Sequence, residues 1–317
     1  MVEVGYALSS EEHRPNDLVA YARRAQDAGF TFALVSDHFH PWTDRQGQSA
    51  FVWNVIGAIS AATESLRIGT GVTCPILRIH PAIIAQAAAT SAAMMPGRFF
   101  LGVGTGENLN EHILGLRWPP ADVRFEMIEE AVSMIKLLWK GGQQSFHGKH
   151  FVVENARIYT LPDVPPPIYM AASGTTAAEV AGRIADGLIS TAPRKELVQS
   201  FRRAGGESKP CYGQMSVCVA PTEAEGRKIA HEWWPTAGIP GELGQDLPLP
   251  SSFEDAAKNV REEDVAKSVL CSTDAQAYID KIKEFVSAGF DHVYVHQIGR
   301  DQERFFRFYE DQVLPKL

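Results

Sequence analysis

The sequence is poor in several features that would mark particular function classes. Of its 317 residues only four are cysteine, Cys74, Cys211, Cys218 and Cys271, and none sits at the short paired spacing of a zinc knuckle or a disulfide scaffold. Such a scatter reads as reduced thiols in a cytoplasmic protein. Basic residues are in deficit, 30 Lys and Arg against 38 Asp and Glu, for a formal charge of −8. With no cationic surplus to displace counterions from phosphates, nucleic acid is not an expected partner. Long apolar runs are also missing: none reaches the roughly 18 residues of a membrane span. The opening MVEVGYALSSEEHRP lacks the basic-then-apolar order of an export leader. Neither membrane nor export is expected.

What remains is an ordinary globular composition, 45% hydrophobic and 21% charged, which excludes intrinsic disorder. Short β-rich runs alternate with longer helix-patterned segments throughout, the mark of a parallel sheet with helical crossovers. Eight strands are expected at Val4–Leu8, Phe32–Ser36, Leu66–Gly71, Phe99–Val103, Ile168–Ala172, Gly187–Ser190, Tyr212–Ala220 and His292–Gln297. Helices are expected near Asn16–Ala28, Val52–Ala62, Pro81–Met95, Arg124–Trp139, Thr176–Ala185, Lys195–Ala204, Glu223–Trp233, Asp274–Ala288 and Gln302–Gln312. That count is the count of a (β/α)8 TIM barrel, with about 60 residues beyond a typical barrel of about 250. The surplus falls into two insertions expected at the barrel mouth. Gln143–Pro167 reads as a hairpin excursion, and Trp234–Phe253, rich in Gly and Pro, as a loop. A doubly wound sheet shares the same alternation and is the competing topology.

In either architecture the chemistry lies just after the strands. Three strand ends stand out: Ser36–Trp42 (SDHFHPW), Thr70–Pro75 (TGVTCP) and Gly102–Glu111 (GVGTGENLNE). His38 is a proton-transfer group beside the carboxylate of Asp37 and the face of Trp42, although a buried histidine bonded to a carbonyl would look the same. His38-Phe39-His40 also spells the H-x-H pair of metal-dependent barrel hydrolases. Later strand ends supply no further ligand set, so no metal is expected. In GVGTG the glycine spacing lacks the two-residue gap of a dinucleotide loop. Its glycines permit close backbone approach to a ligand, or only a tight strand exit, and Glu107 follows them.

Together these segments resemble the luciferase-like superfamily of flavin and deazaflavin enzymes, and within it the group of coenzyme F420-dependent glucose-6-phosphate dehydrogenases. The resemblance runs through SDHFHPW, GTGVTCP, PAIIAQ, RFFLGVGTGENLNE, YMAASG, AGRIADGLIST and GRDQERFFRFYEDQVLP. It implies one luciferase-like barrel over residues 1–317, a homodimer, that binds coenzyme F420 rather than FMN and moves a hydride to or from a hydroxyl-bearing carbon. Asp37 would contact the coenzyme, and Gly71-Val72 would form a non-proline cis peptide behind its ring. Cys74, Glu107, Asn110, Ala171, Ala172, Ser173 and Gly174 would complete the coenzyme contacts, with Cys74 standing where relatives often carry threonine. The resemblance makes His38 the base, Trp42 the pocket wall that steadies developing charge, Glu107 the partner of the ring nitrogen or the acid, and Glu11 a further active-site carboxylate. Positioned acid–base help of this kind is typically worth about 10²–10⁴-fold.

At the substrate end the pattern departs from sugar-phosphate enzymes, which grip phosphate with several cations. Arg194 keeps one basic position for the substrate, Ser268 stands where an arginine is expected, and Gly241–Leu247 offers no Lys or Arg. The expected substrate is therefore a small alcohol, sugar or carbonyl compound rather than glucose 6-phosphate. The competing functions are an FMN-dependent monooxygenase of the same superfamily, a metal-dependent barrel hydrolase using His38 and His40, and a non-catalytic deazaflavin carrier.

Overall fold

A computed structural model describes residues 2–239, 241 and 243–317. Met1, at the start of the expected domain, and Pro240 and Glu242, in the second expected insertion, lie outside the described residues. The strands are β1 (Glu3–Leu8), β2 (Phe32–Val35), β3 (Arg67–Thr70), β4 (Phe99–Val103), β5 (Gln144–His147), β6 (Val152–Ala156), β7 (Ile168–Ala171), β8 (Gly187–Ser190), β9 (Cys211–Val217), β10 (Val269–Leu270) and β11 (His292–Gln297). Eight of them pair in parallel in the cyclic order β1, β2, β3, β4, β7, β8, β9, β11, and β11 returns to β1. The ring has no free edge, which decides for the TIM barrel against a doubly wound sheet.

Its helices are α1 (Pro15–Asp27), α2 (Val52–Ala62), α3 (Pro81–Met94), α4 (Asn108–Glu111), α5 (Ala121–Leu138), α6 (Thr175–Ile184), α7 (Lys195–Phe201), α8 (Glu223–Trp233), α9 (Leu243–Asp246), α10 (Pro250–Ala257), α11 (Glu262–Val265), α12 (Ala275–Ala288) and α13 (Gln302–Phe308). Alternation along each strand sends one set of side chains outward against these helices and the other into the barrel. Inside, Phe32, Phe100, Tyr169 and Tyr212, all near strand starts, form an aromatic plug with Leu34, Ile189 and Tyr294 above it. The plug explains two strand glycines: a Cβ on Gly5 would lie 2.4 Å from the Phe32 ring, and one on Gly69 would lie 2.0 Å from the Phe100 ring. Filling the amino-terminal half of the barrel leaves the carboxyl-terminal half open for a site. On the outside, the alanine-rich α3 lets α5 approach so closely that Trp139 Nε1 donates to the Ala85 carbonyl at 2.9 Å.

The two insertions differ from expectation. Gln143–Pro167 does hold a hairpin, β5 with β6, but it follows α5 and precedes β7, a helix-to-strand connection, and such connections lie at the amino end of a barrel. Its tip climbs the outer flank of α5, where Glu130 accepts from the backbone N–H groups of Lys149, His150 and Phe151. No hairpin residue lines the mouth. The described residues of the segment Trp234–Phe253 do reach the mouth, where Trp234, Gln245 and Asp246 line the cavity, yet they include short helices, α9 and the start of α10, where a loop was expected. No helix among the described residues is long and apolar enough to cross a membrane.

Candidate active site

A cavity of about 840 Å³ opens at the carboxyl ends of the strands. Its deepest wall is the top of the barrel interior, Leu34, Ile189, Gln214 and Tyr294, and its rim combines the loops after β1, β2, β3, β4 and β7 with the second insertion. Of the residues expected in the site, Glu11, His38, Trp42, Gly71, Val72, Glu107, Ala171, Ala172, Ser173 and Gly174 all line it.

His38 and Glu11 form its most polar corner. Oxygen of the His40 carbonyl lies 3.2 Å from His38 Nδ1 and can only accept, so Nδ1 carries a proton. That leaves Nε2 as the basic nitrogen of the neutral ring. It stands 3.4 Å from Glu11 Oε1, long for a hydrogen bond and close enough to stabilise the ring once protonated. The Glu11 carboxylate is buried, and its other oxygen accepts from Ser36 Oγ at 2.6 Å and Ser9 Oγ at 3.0 Å. Burial pushes this carboxyl up, but attraction to His38 and the two hydroxyl hydrogen bonds outweigh it and hold the group below its ordinary value. Trp42 flanks the imidazole with ring centroids 5.1 Å apart, and its far edge meets Phe253 of α10 at 5.1 Å. The mouth segment thus braces the aromatic wall.

Opposite this corner the peptide between Gly71 and Val72 is cis. The Gly104–Glu107 stretch runs alongside it so closely that a Cβ on Gly104 would lie 2.7 Å from Val72 Cγ2. Glu107 accepts from Asn110 Nδ2 at 3.3 Å. Farther along, Ala172-Ser173-Gly174 leads into α6, and Gly174 at the N-cap has no side chain to occupy the first-turn N–H groups. A Cβ there would meet nothing within 4 Å, so the helix end faces open space suited to an anionic group.

Three expected contacts lie behind the wall. Asp37 is buried, accepting from Thr73 Oγ1 at 2.7 Å and from Arg78 at 2.9 Å. Arg78, unremarked in the sequence, also reaches Glu111 at 3.5 Å, and its backbone N–H donates to that carboxylate at 2.7 Å. Burial pushes the Glu111 carboxyl up to about 7 against the lowering pull of Arg78, and the nearby charges of Glu107 and Asp37 add to the rise. Asn110 Oδ1 holds the backbone N–H groups of Phe39 and His40, fixing the loop that carries His38. Cys74 packs under Gly106, and burial pushes its thiol well above the ordinary value.

Two substrate cues of the sequence fall outside the cavity. Arg194 turns its guanidinium onto the Ser173 carbonyl, and Ser268 is exposed and does not line the cavity. The guanidinium that does line the cavity is Arg124, which stacks on Trp118 at 4.3 Å and donates to Gln245 at 3.3 Å. Asp246 accepts from Trp118 Nε1 at 3.2 Å and, through its carbonyl, from Asn108 at 2.9 Å, so α9 is clasped to the loop after β4. His40 gives its Nδ1 to the Leu109 carbonyl at 2.9 Å and stacks on His112, turned away from His38. Among the described residues no group of three or more His, Cys, Asp or Glu is placed to hold a metal ion.

A family model described as luciferase-like monooxygenase matches residues 1–292. The chain belongs to this luciferase-like family. One relative, an F420-dependent glucose-6-phosphate dehydrogenase of Microbacterium testaceum (strain StLB037), is 36% identical over 325 residues, covering 99% of this chain and 96% of the relative. Another of the same description, from Beutenbergia cavernae, is 34% identical and covers 100% and 98%. Among solved structures, an F420-dependent secondary alcohol dehydrogenase in complex with an F420-acetone adduct superposes with a TM-score of 0.91 at 31% identity, covering 99% of this chain and 98% of that one.

Proposed function

We propose that this luciferase-like barrel is a coenzyme F420-dependent oxidoreductase that moves a hydride between the deazaflavin and the hydroxyl- or carbonyl-bearing carbon of a small, non-phosphorylated substrate. The observation that carries the reading is the His38–Glu11 pair, a basic nitrogen with a carboxylate behind it, set in the same cavity as the Gly71-Val72 wall and the open end of α6. These residues fit the coenzyme: the smooth strip of Gly71, Val72 and Gly104–Glu107 suits a flat ring, and the α6 terminus suits an anionic tail. When bound, the deazaflavin supplies the hydride acceptor. His38 Nε2 takes the hydroxyl proton of the substrate while the Glu11 carboxylate stabilises the imidazolium, and Trp42 keeps water from that face. Asp37 and Asn110 act as positioning residues for the loop of His38.

Absence of a phosphate clamp supports a non-phosphorylated substrate. The lining residues include one guanidinium, Arg124, and no lysine. Four free, buried cysteines agree with a reducing, cytoplasmic setting. Phe51, just before α2, and Ile83 and Met94 of the neighbouring α3 are about half exposed and support pairing of two copies, which light scattering of the purified protein tests. The function itself is tested by titrating apoprotein with F420 and with FMN, then following loss of oxidised F420 with secondary alcohols, sugars and glucose 6-phosphate. Binding of F420 and turnover of non-phosphorylated alcohols is the expected result. Binding of FMN alone, or efficient oxidation only of glucose 6-phosphate, overturns it.

A further inference from the structure

Glu11 and Glu12 are adjacent carboxylates on the loop leaving β1, a strand that lies between β2 and β11. Glu11 turns to His38 beyond β2, and Glu12 turns the other way, to His296 on β11. Glu12 Oε2 lies 3.0 Å from His296 Nε2, and Oε1 accepts from the Gly299 N–H at 3.1 Å. Both side chains are buried, Glu12 at 0% and His296 at 4% exposure. A carboxylate of this kind only accepts, so Nε2 carries the proton and the neutral ring keeps a lone pair on Nδ1. His296 lines the cavity, and Nδ1 hydrogen-bonds none of the described residues.

Beside it stands a complementary donor. Trp234, at the start of the mouth insertion, packs edge-on to the His296 ring with centroids 4.7 Å apart and planes at 79°. It also lines the cavity, and its indole N–H is buried with no partner among the described residues. Buried N–H groups are seldom left unpaired, since the lost hydration is costly. An acceptor next to a donor is the complement of a hydroxyl, which gives one hydrogen bond and takes another. The reacting hydroxyl belongs to His38, so this notch serves a different one. Strands β2 and β11 are two apart in the ring, roughly 10 Å at the backbone, and both imidazoles line the cavity between them. That placement suits two hydroxyls on one short carbon chain.

We propose that Trp234 and His296, the latter oriented by Glu12, hold a second hydroxyl of the substrate, so that the enzyme prefers diols or polyols to mono-alcohols. The proposal rests on the reading that the cavity carries out F420-dependent alcohol oxidation. Its test uses three probes, butan-2-ol, butane-2,3-diol and the mono-methyl ether 3-methoxybutan-2-ol, with kcat/KM read from loss of oxidised F420 and coenzyme affinity from F420 fluorescence. Wild-type enzyme is expected to favour the diol over butan-2-ol by about 10- to 100-fold, the range of a hydrogen bond to a strongly polar pair. The ether accepts but cannot donate, so it should gain no such preference. His296→Leu and Trp234→Phe should bring the diol to mono-alcohol ratio close to one.

Glu12→Gln supplies a readout that a merely structural role would not move. The Gln amide donates to His296 Nε2, the ring proton shifts to Nδ1, and the ether should gain on the diol. A wild-type ratio near one overturns the proposal even if no variant folds. So does an unchanged ratio in variants that still bind F420. Failure of the wild type to reduce F420 with any alcohol is a distinct result and overturns the underlying reading as well.

Discussion

The Glu11–His38 and Glu12–His296 pairs are built from the same two residue types on either side of one strand, yet they are wired in opposite senses. At His38 a backbone carbonyl accepts the hydrogen bond of Nδ1–H, so the carboxylate faces the basic nitrogen and can stabilise the charge that develops there. At His296 the carboxylate itself accepts the hydrogen bond of Nε2–H, and the basic nitrogen is the one turned from it. One backbone carbonyl therefore decides which imidazole moves a proton and which reads a ligand. Support beneath the pairs differs too. The loop of His38 rests on the buried Asp37–Arg78–Glu111 cluster, whereas among the described residues Glu12 bonds only His296 and the Gly299 N–H.

The comparison breaks most easily at its first member. His38→Ala is expected to lower kcat by about 10²–10⁴-fold, the usual contribution of a positioned base, while F420 affinity measured by fluorescence is kept. Arg78→Met leaves two buried carboxylates without their cation and should lower stability by about 3–5 kcal/mol in urea unfolding. A loss below 1 kcal/mol would mean that the cluster is not what supports this loop.

Glu111 sharpens the same contrast through pH. Its carboxyl, raised to about 7 in the folded protein, binds its proton more tightly there than in the unfolded chain. Stability from this group is therefore present below the ordinary carboxyl value and is lost as pH rises toward 7, by on the order of 3 kcal/mol. Glu111→Gln should remove that fall, seen as a flatter unfolding free energy between pH 4.5 and 7 than in the wild type. Smallest is Glu11→Gln, which keeps the shape but not the charge behind His38 and should slow kcat about tenfold with little change in KM. An equal fall in kcat for Glu12→Gln with butan-2-ol would erase the distinction between the pairs.

Much of the fold was legible because strand and helix periods alternate without interruption, and α2 and α8 begin and end where their apolar spacing says they should. The four-residue helices α4, α9 and α11 and the two-residue β10 are too short to carry a period. The flank position of the β5–β6 hairpin was readable from connection order alone, since it follows a helix and precedes a strand. In the site, residues just after strands stood out, and Glu11, His38, Trp42 and Glu107 line the cavity, whereas Asp37, Cys74 and Asn110 lie behind its wall. Arg124 did not stand out, because it sits one turn inside α5 with no strand-end cue. Nor did the Glu12–His296 pair, whose partners are 284 residues apart and meet only when the barrel closes β11 onto β1.

The central claim is that His38 Nε2 is the group that takes the substrate proton. Its most direct test is single-turnover reduction of bound F420 by a secondary alcohol in wild type and His38→Ala, with and without added imidazole. The account predicts a reduction step slowed by at least about a hundredfold in the variant and partly restored as imidazole is raised. A variant that reduces its bound coenzyme at the wild-type rate would contradict it.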